Sequence, residues 1–256
     1  MKDEGTEQRS AFSSFVLHPS SFLSSRSYEL EHLDKGDYTP AEYEGCLVEL
    51  RRINEWLGDA SALRRSLFPE IERAGLQSFS LLDVGAGSGE LLRVAAGEAR
   101  RRSLTARLAG LELDARAARS ITEESRGFPE ISSVRGDASR LPFADDAFDY
   151  AACSLFTHHF KDDGVVRVLR ELARVARRRV IVIDLHRHAL AYFLYTTVGK
   201  LFLHNRLIRE DGALSIRRSF RPGELRALAE RAGLKEIVVR RRFPFRVVLT
   251  GVGEKY

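Results

Sequence analysis

Short apolar runs alternate with longer amphipathic stretches over most of the chain. The first run, Phe79 to Val84, is continuous enough for a buried strand, and Glu90 to Arg102 after it has helical spacing. The clearest helical stripe lies in Gly164 to Arg178, where apolar residues recur every three or four positions. This alternation predicts a doubly wound, mostly parallel α/β sheet with right-handed crossovers. The same pattern predicts strands at Arg107 to Glu112, Ile131 to Gly136, Phe148 to Ser154 and Val180 to Asp184, and a helix at Ala115 to Ser125.

The two ends of the chain depart from this alternation. Lys235 to Phe243 and Arg246 to Val252 predict an antiparallel hairpin around a turn that contains Pro244. Ahead of the first strand, Tyr38 to Trp56 has helical spacing, with a proline at the first helical position, and a second short helix is predicted at Ala60 to Ala74. We therefore expect residues 28–76 to form a helical cap over the substrate side of the sheet, with plain packing helices as the alternative.

Residues 1–27 are rich in serine and differ from the rest of the chain. His18 and Pro19 interrupt their apolar run, which argues against a secretory signal, so we interpret this segment as a disordered or adventitious extension. Residues 77–256 then form the sheet domain, with an insertion at about 186–220. Within it, Ala189 to Leu203 is apolar and aromatic but too short to span a bilayer. We expect it to line an apolar pocket rather than to lie at a membrane surface. Arg209 to Phe220 is predicted as a loop and short strand, followed by a helix from about Pro222.

Composition adds little to this prediction of the fold. Among 256 residues, 44% are apolar and the formal net charge is +5, so an anionic partner is permitted but not required. The two cysteines, Cys46 and Cys153, are far apart and lack metal-ligand spacing, which argues against a zinc site or a disulfide framework. A reducing, cytoplasmic location follows.

A glycine-rich turn follows the first strand. Glycine adopts positive φ without strain and lets the backbone approach a ligand closely, and a turn of this kind is the usual nucleotide-binding corner of an open α/β sheet. The spacing is G-x-G-x-G, whereas a dinucleotide site would place the third glycine three residues after the second. The turn, with the residues before it, resembles the first motif of the class I S-adenosylmethionine-dependent methyltransferases: Asp83-Val84-Gly85-Ala86-Gly87-Ser88-Gly89.

The resemblance extends along the chain to Asp184. It implies that Glu112, with Leu113 beside it, binds the cofactor ribose, and that Asp137 and Ala138 bind the adenine. Asp114 is the rival of Glu112, although it is better placed to cap the following helix. The segment Leu141 to Asp149 resembles the family's approach to the fourth strand, which implies that Ser154 lies near the methionine moiety. The implied fold is a Rossmann-like, seven-stranded, mostly parallel sheet with an antiparallel C-terminal hairpin and a helical N-terminal cap, and the implied cofactor-binding residues are Asp83, Gly85, Ala86, Gly87, Gly89, Glu112, Leu113, Asp137, Ala138 and Ser154.

The acceptor of the methyl group is indicated less directly. The Asn-Pro-Pro signature of enzymes that methylate planar amino groups is absent, and His158-His159 after the fourth strand is similar to the small-molecule group that includes ubiquinone- and menaquinone-biosynthesis methyltransferases. Either histidine is a candidate to orient or deprotonate a hydroxyl, with a purely structural role as the alternative. Arg217 and Arg218 are candidates to meet an acidic substrate group, with a solvated turn as the safer default interpretation.

These features predict methyl transfer to a hydroxyl, or to an activated carbon, of an apolar, phenolic or polyketide-like molecule, with no metal. The alternative is an rRNA or tRNA methyltransferase, which the basic charge alone favours, so we do not expect a nucleic-acid partner. A relative that binds the cofactor without chemistry is the third hypothesis. The sequence also leaves membrane-surface contact open and does not determine the oligomeric state.

Overall fold

The computed structural model describes residues 23–46, 49 and 58–254, which form a seven-stranded sheet between two layers of helices. The strand order is β3-β2-β1-β4-β5-β7-β6. Strands β1 to β5 are parallel, and β7 runs antiparallel to both β5 and β6. The predicted fold class is confirmed. The strands are β1 (Ser78–Val84), β2 (Thr105–Glu112), β3 (Ile131–Arg135), β4 (Phe148–Ser154), β5 (Ala176–Leu185), β6 (Lys235–Arg242) and β7 (Arg246–Val252).

The helices follow the strands in the order that the alternation predicts. Residues 40–46 are also helical, which agrees with the start of the helix expected from Tyr38; most of its remainder lies outside the described residues. Short 3-10 turns occupy Thr157–His159 and Gly199–Leu201. The α-helices are α1 (His32–Lys35), α2 (Asp59–Arg73), α3 (Glu90–Arg101), α4 (Ala115–Glu124), α5 (Asp162–Val175), α6 (Ala189–Thr197), α7 (Arg206–Arg218) and α8 (Pro222–Arg231).

The core lies on both faces of the sheet because successive strand residues point to opposite sides. In β1, Leu82 belongs to the buried cluster beneath α5 and α8, whereas Leu81 belongs to the cluster beneath α2, α3 and α4. Both leucines are buried, as expected for a central parallel strand covered by helices on both faces. The sheet is therefore firmly packed at β1, one of the strands whose carboxyl ends carry the candidate site.

The boundary between α5 and β5 differs from the expected one. The sequence predicts a helix that reaches Arg178, but the helix ends at Val175, and the three arginines 177–179 lie in the first part of β5. Ion pairs explain their place in a strand, since Asp149 accepts from Arg177 at 2.7 Å and from Arg178 at 3.3 Å. This arginine cluster thus has partners within the protein.

The prediction of a loop and short strand at Arg209 to Phe220 is wrong, because this segment belongs to helix α7 up to Arg218. The Asn205 side chain caps the helix by accepting a hydrogen bond from the Leu207 amide at 2.9 Å. The sequence Glu210-Asp211-Gly212 suggests a turn, but the glycine has a packing role. A Cβ atom at Gly212 would collide with the Tyr195 side chain of α6, so glycine is what allows the two helices to pack closely.

The N-terminal segment runs across α7 and the turn after β4. Of the extension predicted at residues 1–27, residues 23–27 are described, and Leu23 and Arg26 are buried. Arg26 donates to the Arg218 carbonyl at 2.8 Å and to Asp162 at 2.6 Å. For residues 1–22, which lie outside the described residues, the expectation of disorder stays a prediction. Within residues 23–46 and 58–254, none of the helices combines the length and apolarity that crossing a membrane requires.

Candidate functional site

The glycine-rich turn joins the carboxyl end of β1 to α3. All three glycines have positive φ: 71° at Gly85, 58° at Gly87 and 80° at Gly89. The Gly85 amide donates to the Leu111 carbonyl at 2.9 Å, and the Gly87 amide donates to a Glu112 carboxylate oxygen at 2.6 Å. The turn is thus fastened to the end of β2. Ala86 lies within it, and its carbonyl accepts from the Gly89 amide at 2.8 Å.

Two buried polar atoms at the ends of β1 and β4 lack hydrogen-bond partners among the described residues. They are Asp83 Oδ1 and Ser154 Oγ. The two strands are neighbours, with Asp83 opposite Ala152 in the register. Burial, together with the charge of Glu112, raises the pKa of Asp83 to about 8. Leaving a buried polar group without a hydrogen-bond partner lowers the stability of the fold by about 1–3 kcal/mol. Such groups are expected where a polar or cationic ligand supplies the missing contacts.

The ends of β2 and β3 bring the remaining cofactor-side residues to the same edge of the sheet. Burial raises the pKa of Glu112, although the hydrogen bond from Gly87 partly offsets this. Leu113 is 65% exposed and therefore accessible to a ligand. Asp137 is exposed and accepts from the Ser139 amide at 2.7 Å, while Ala138 beside it is buried.

Asp114 instead caps α4, as the sequence suggested. It accepts from the Arg116 amide at 2.9 Å and the Ala117 amide at 3.0 Å. Glu112 is therefore the carboxylate of this pair that stays with the glycine turn.

His158 and Asp184 form a buried pair on the other side of the turn. His158 Nδ1 lies 2.6 Å from Asp184 Oδ1, and the Asp184 carboxylate also accepts from the Thr157 hydroxyl at 2.5 Å. Burial alone would raise the pKa of Asp184, but the imidazole of His158 and these hydrogen bonds lower it to about 2. Because a carboxylate only accepts, the hydrogen of this bond lies on Nδ1, which leaves Nε2 as the remaining nitrogen of the ring.

A second layer of charged residues surrounds the two histidines. Glu31, from the N-terminal segment, is buried, and its Oε1 lies 4.0 Å from His158 Nε2. His159 Nδ1 lies 3.9 Å from Glu31 Oε2 and 3.5 Å from Asp34 Oδ1. The two imidazole rings are 4.3 Å apart at their centroids. Arg218 is buried and donates to the His159 carbonyl at 2.6 Å and to Asp34 at 2.8 Å.

Sequence reasoning missed Glu31 and Asp34, which lie more than a hundred residues before the histidines and belong to no local motif. Asp184 at the end of β5 carried a usable signal, since strand ends line the ligand edge of such a sheet. Arg217 and Arg218, considered for an acidic substrate group, instead meet acidic residues of the protein itself. Arg217 donates to Glu29 at 2.8 Å, and Arg218 pairs with Asp34.

The comparisons with known proteins agree with this geometry. A family model described as a methyltransferase domain matches residues 82–184. A demethylmenaquinone methyltransferase from Bacillus licheniformis is 31% identical over 173 residues, covering 61% of this chain and 70% of that protein. The chain belongs to the class I S-adenosylmethionine-dependent methyltransferases.

Solved structures support the fold of this methyltransferase. A methyltransferase from Aquifex aeolicus has a TM-score of 0.52 at 15% identity, covering 77% of this chain and 95% of that one. The magnesium protoporphyrin IX methyltransferase from Synechocystis PCC 6803, with bound S-adenosylhomocysteine, has a TM-score of 0.54 at 14% identity, covering 79% and 87%. The protein is thus an S-adenosylmethionine-dependent methyltransferase.

Proposed function

We propose that this methyltransferase transfers the methyl group of S-adenosylmethionine to a hydroxyl, or to an activated carbon, of an apolar, phenolic or polyketide-like molecule. The observation that carries the proposal is the buried pair of His158 and Asp184 beside the ends of β4 and β5. A hydroxyl or an acidic C–H group must lose a proton during methylation, so an oriented imidazole suits such acceptors. The acceptor named by the Bacillus licheniformis relative, demethylmenaquinone, supports a small molecule.

The cofactor side of the proposal rests on the glycine turn and the strand ends around it. Bound there, the cofactor supplies an electrophilic methyl group on a sulfonium. The Glu112 carboxylate can accept hydrogen bonds from ribose hydroxyls, and the unpaired oxygens of Asp83 and Ser154 suit the polar methionine end. Asp137 and Ala138 would contact the adenine. The backbone of the turn and the neighbouring residue complete the proposed site: Gly85, Ala86, Gly87, Gly89 and Leu113.

On the acceptor side, we assign the base to His158. Asp184 holds the Nδ1 hydrogen, so Nε2 can accept the acceptor's proton while the carboxylate stabilises the imidazolium that forms. Proton transfer of this kind contributes on the order of 10²–10⁴ in rate. His159 lies against His158 and is one-third exposed, so it borders the route from solvent to the pair.

An apolar acceptor fits the surface formed by α6 and the turn after it. Only Ala191 of α6 is buried, whereas several large apolar side chains remain exposed. The expected pocket-lining helix thus presents its apolar side chains outward, where they suit an apolar substrate or the membrane surface that holds one. The exposed residues of this surface are Leu190, Phe193, Leu194, Val198, Leu201 and Phe202.

Cys46 and Cys153 are free thiols, which supports the reducing, cytoplasmic setting we propose.

The test combines cofactor titration with turnover of candidate acceptors. We expect S-adenosylmethionine to bind and NAD not to bind, and hydroxylated aromatic compounds to be methylated. His158→Ala should then lower kcat by a factor of about 10² or more with unchanged cofactor affinity, whereas His159→Ala should have the smaller effect. Loss of cofactor binding in His158→Ala would refute the assignment of the base. Methylation of tRNA or rRNA in preference to small molecules would refute the proposed substrate class.

A further inference from the structure

The side chains of Glu31, His158 and His159 converge on one point beneath the N-terminal segment. One potential ligand atom from each lies within 4.8 Å of the other two. A carboxylate oxygen of Glu31 is 4.0 Å from His158 Nε2, and the other is 3.9 Å from His159 Nδ1. Neither separation is a hydrogen bond.

We propose that these three residues form a binding site for one divalent transition-metal ion, with Zn²⁺ as the best fit. Two imidazoles and one carboxylate are a known ligand set for zinc, with bonds of about 2.0–2.2 Å. Tetrahedral ligands at that length lie about 3.3 Å apart. One ligand atom from each residue lies within 4.8 Å of the other two, so these atoms need to approach one another by up to about 1.5 Å to hold the ion.

The surroundings of the histidines are already those of metal ligands. Asp184 Oδ1 lies 2.6 Å from His158 Nδ1, which fixes Nε2 as the nitrogen that would coordinate. A carboxylate that holds the far nitrogen of a ligand histidine is the usual arrangement around zinc. His159 Nδ1 is a buried atom that makes no hydrogen bond of good geometry among the described residues, and its nearest carboxylate oxygen, Asp34 Oδ1, lies 3.5 Å away.

Carboxylates outnumber guanidinium groups around the two imidazoles. The carboxylates belong to Glu31, Asp34 and Asp184, and the guanidinium of Arg218 pairs with Asp34 and lies 3.9 Å from Glu31 Oε1. A cluster with this excess of carboxylate groups suits a bound cation.

The site bears on regulation of the proposed function. The lone pair of His158 Nε2 cannot coordinate an ion and accept a proton at the same time. If His158 is the base, the zinc-loaded protein is therefore the inactive form, and the ion also ties the N-terminal segment to the turn after β4. This consequence rests on the proposed function, whereas the binding site itself does not.

Metal binding is tested directly on tag-free protein that has been stripped with a chelator. We expect one Zn²⁺ per chain, measured by competition with a chromophoric chelator, and visible absorption typical of a tetrahedral site when Co²⁺ replaces it. His159→Ala and Glu31→Gln should each weaken Zn²⁺ binding by a factor of about ten or more, because losing even an outer-shell partner of a ligand costs about ten- to a hundred-fold. His204→Ala, at an exposed histidine outside the cluster, is the matched control and should bind Zn²⁺ as the unaltered protein does.

Absence of stoichiometric binding, or equal binding by all variants, would overturn the proposal. If Glu31→Gln fails to fold, His159→Ala decides alone, because this histidine is one-third exposed and its loss should be tolerated. Cofactor affinity and methyl transfer are measured on the same metal-free samples. Failure of the proposed function appears there as absent turnover, whatever the zinc titration shows.

Discussion

Replacing Asp83 with asparagine should change how the stability of the protein depends on pH. Burial and the nearby charge of Glu112 raise the pKa of Asp83 to about 8, whereas an unfolded chain has a value of about 3.9. Between these values the native carboxyl keeps a proton that the unfolded one has lost. The native state binds more protons there, so the free energy of unfolding decreases as pH rises through this window.

The magnitude follows from the size of the window. One proton of difference changes the free energy of unfolding by about 1.4 kcal/mol per pH unit, or about 2.7 kcal/mol between pH 5 and 7. The asparagine side chain of the variant cannot ionise. The stability difference between Asp83→Asn and the unaltered protein should therefore grow by this amount in favour of the variant, and level off above about pH 8.

Urea unfolding without cofactor, followed by circular dichroism at pH 5, 6, 7 and 8, measures this difference. Asp114→Asn is the matched control. Backbone hydrogen bonds from α4 lower the pKa of Asp114, so it is ionised in both states across the range and adds no slope. A constant difference between Asp83→Asn and the unaltered protein from pH 5 to 7 would refute the reasoning, because Asp83 would then ionise as an ordinary carboxyl does.

Three further predictions concern the turn, the ribose contact and the apolar surface. Glu112→Ala should weaken S-adenosylmethionine binding by about 1.5–3 kcal/mol in calorimetry, and unchanged affinity would remove the ribose contact. Gly85→Ala should lower the free energy of unfolding by about 1–3 kcal/mol, because alanine is strained at the φ of 71° that Gly85 adopts. The loss should be larger still because the new Cβ would collide with Phe156. Equal stability of the variant and the unaltered protein in urea would contradict this. Phe193→Ser combined with Phe202→Ser should reduce flotation with phosphatidylglycerol-containing vesicles by a factor of about ten or more, and an unaltered protein that never floats would exclude membrane contact.

The cofactor side could be predicted from the sequence because its signals are local. Phe79 to Gly89 contains a strand, a turn and a helix start within a few residues, and each has its own pattern. The residues named from this motif and from the later strand ends do lie at one edge of the sheet. Their binding roles stay predictions.

The acceptor side could not be predicted in the same way because its contacts are not local. Glu31 belongs to the N-terminal segment and is distant in sequence from His158, so no spacing rule connects the two residues. Gly212 is misleading for a related reason: a glycine beside two acidic residues is typical of a turn, and only its contact with Tyr195 shows why it stands in a helix. Tertiary packing overrode local preference there.

The long separation between Glu31 and His158 has a consequence for folding. Closing a chain segment of that length costs more conformational entropy than forming the turn between β1 and α3. Contacts between distant residues also tend to form late. The glycine-rich turn between β1 and α3 should therefore form early in folding. The N-terminal segment should pack against α7 and the turn after β4 only after most of the sheet domain has folded. Substitutions in residues 23–34 would then speed unfolding more than they slow folding.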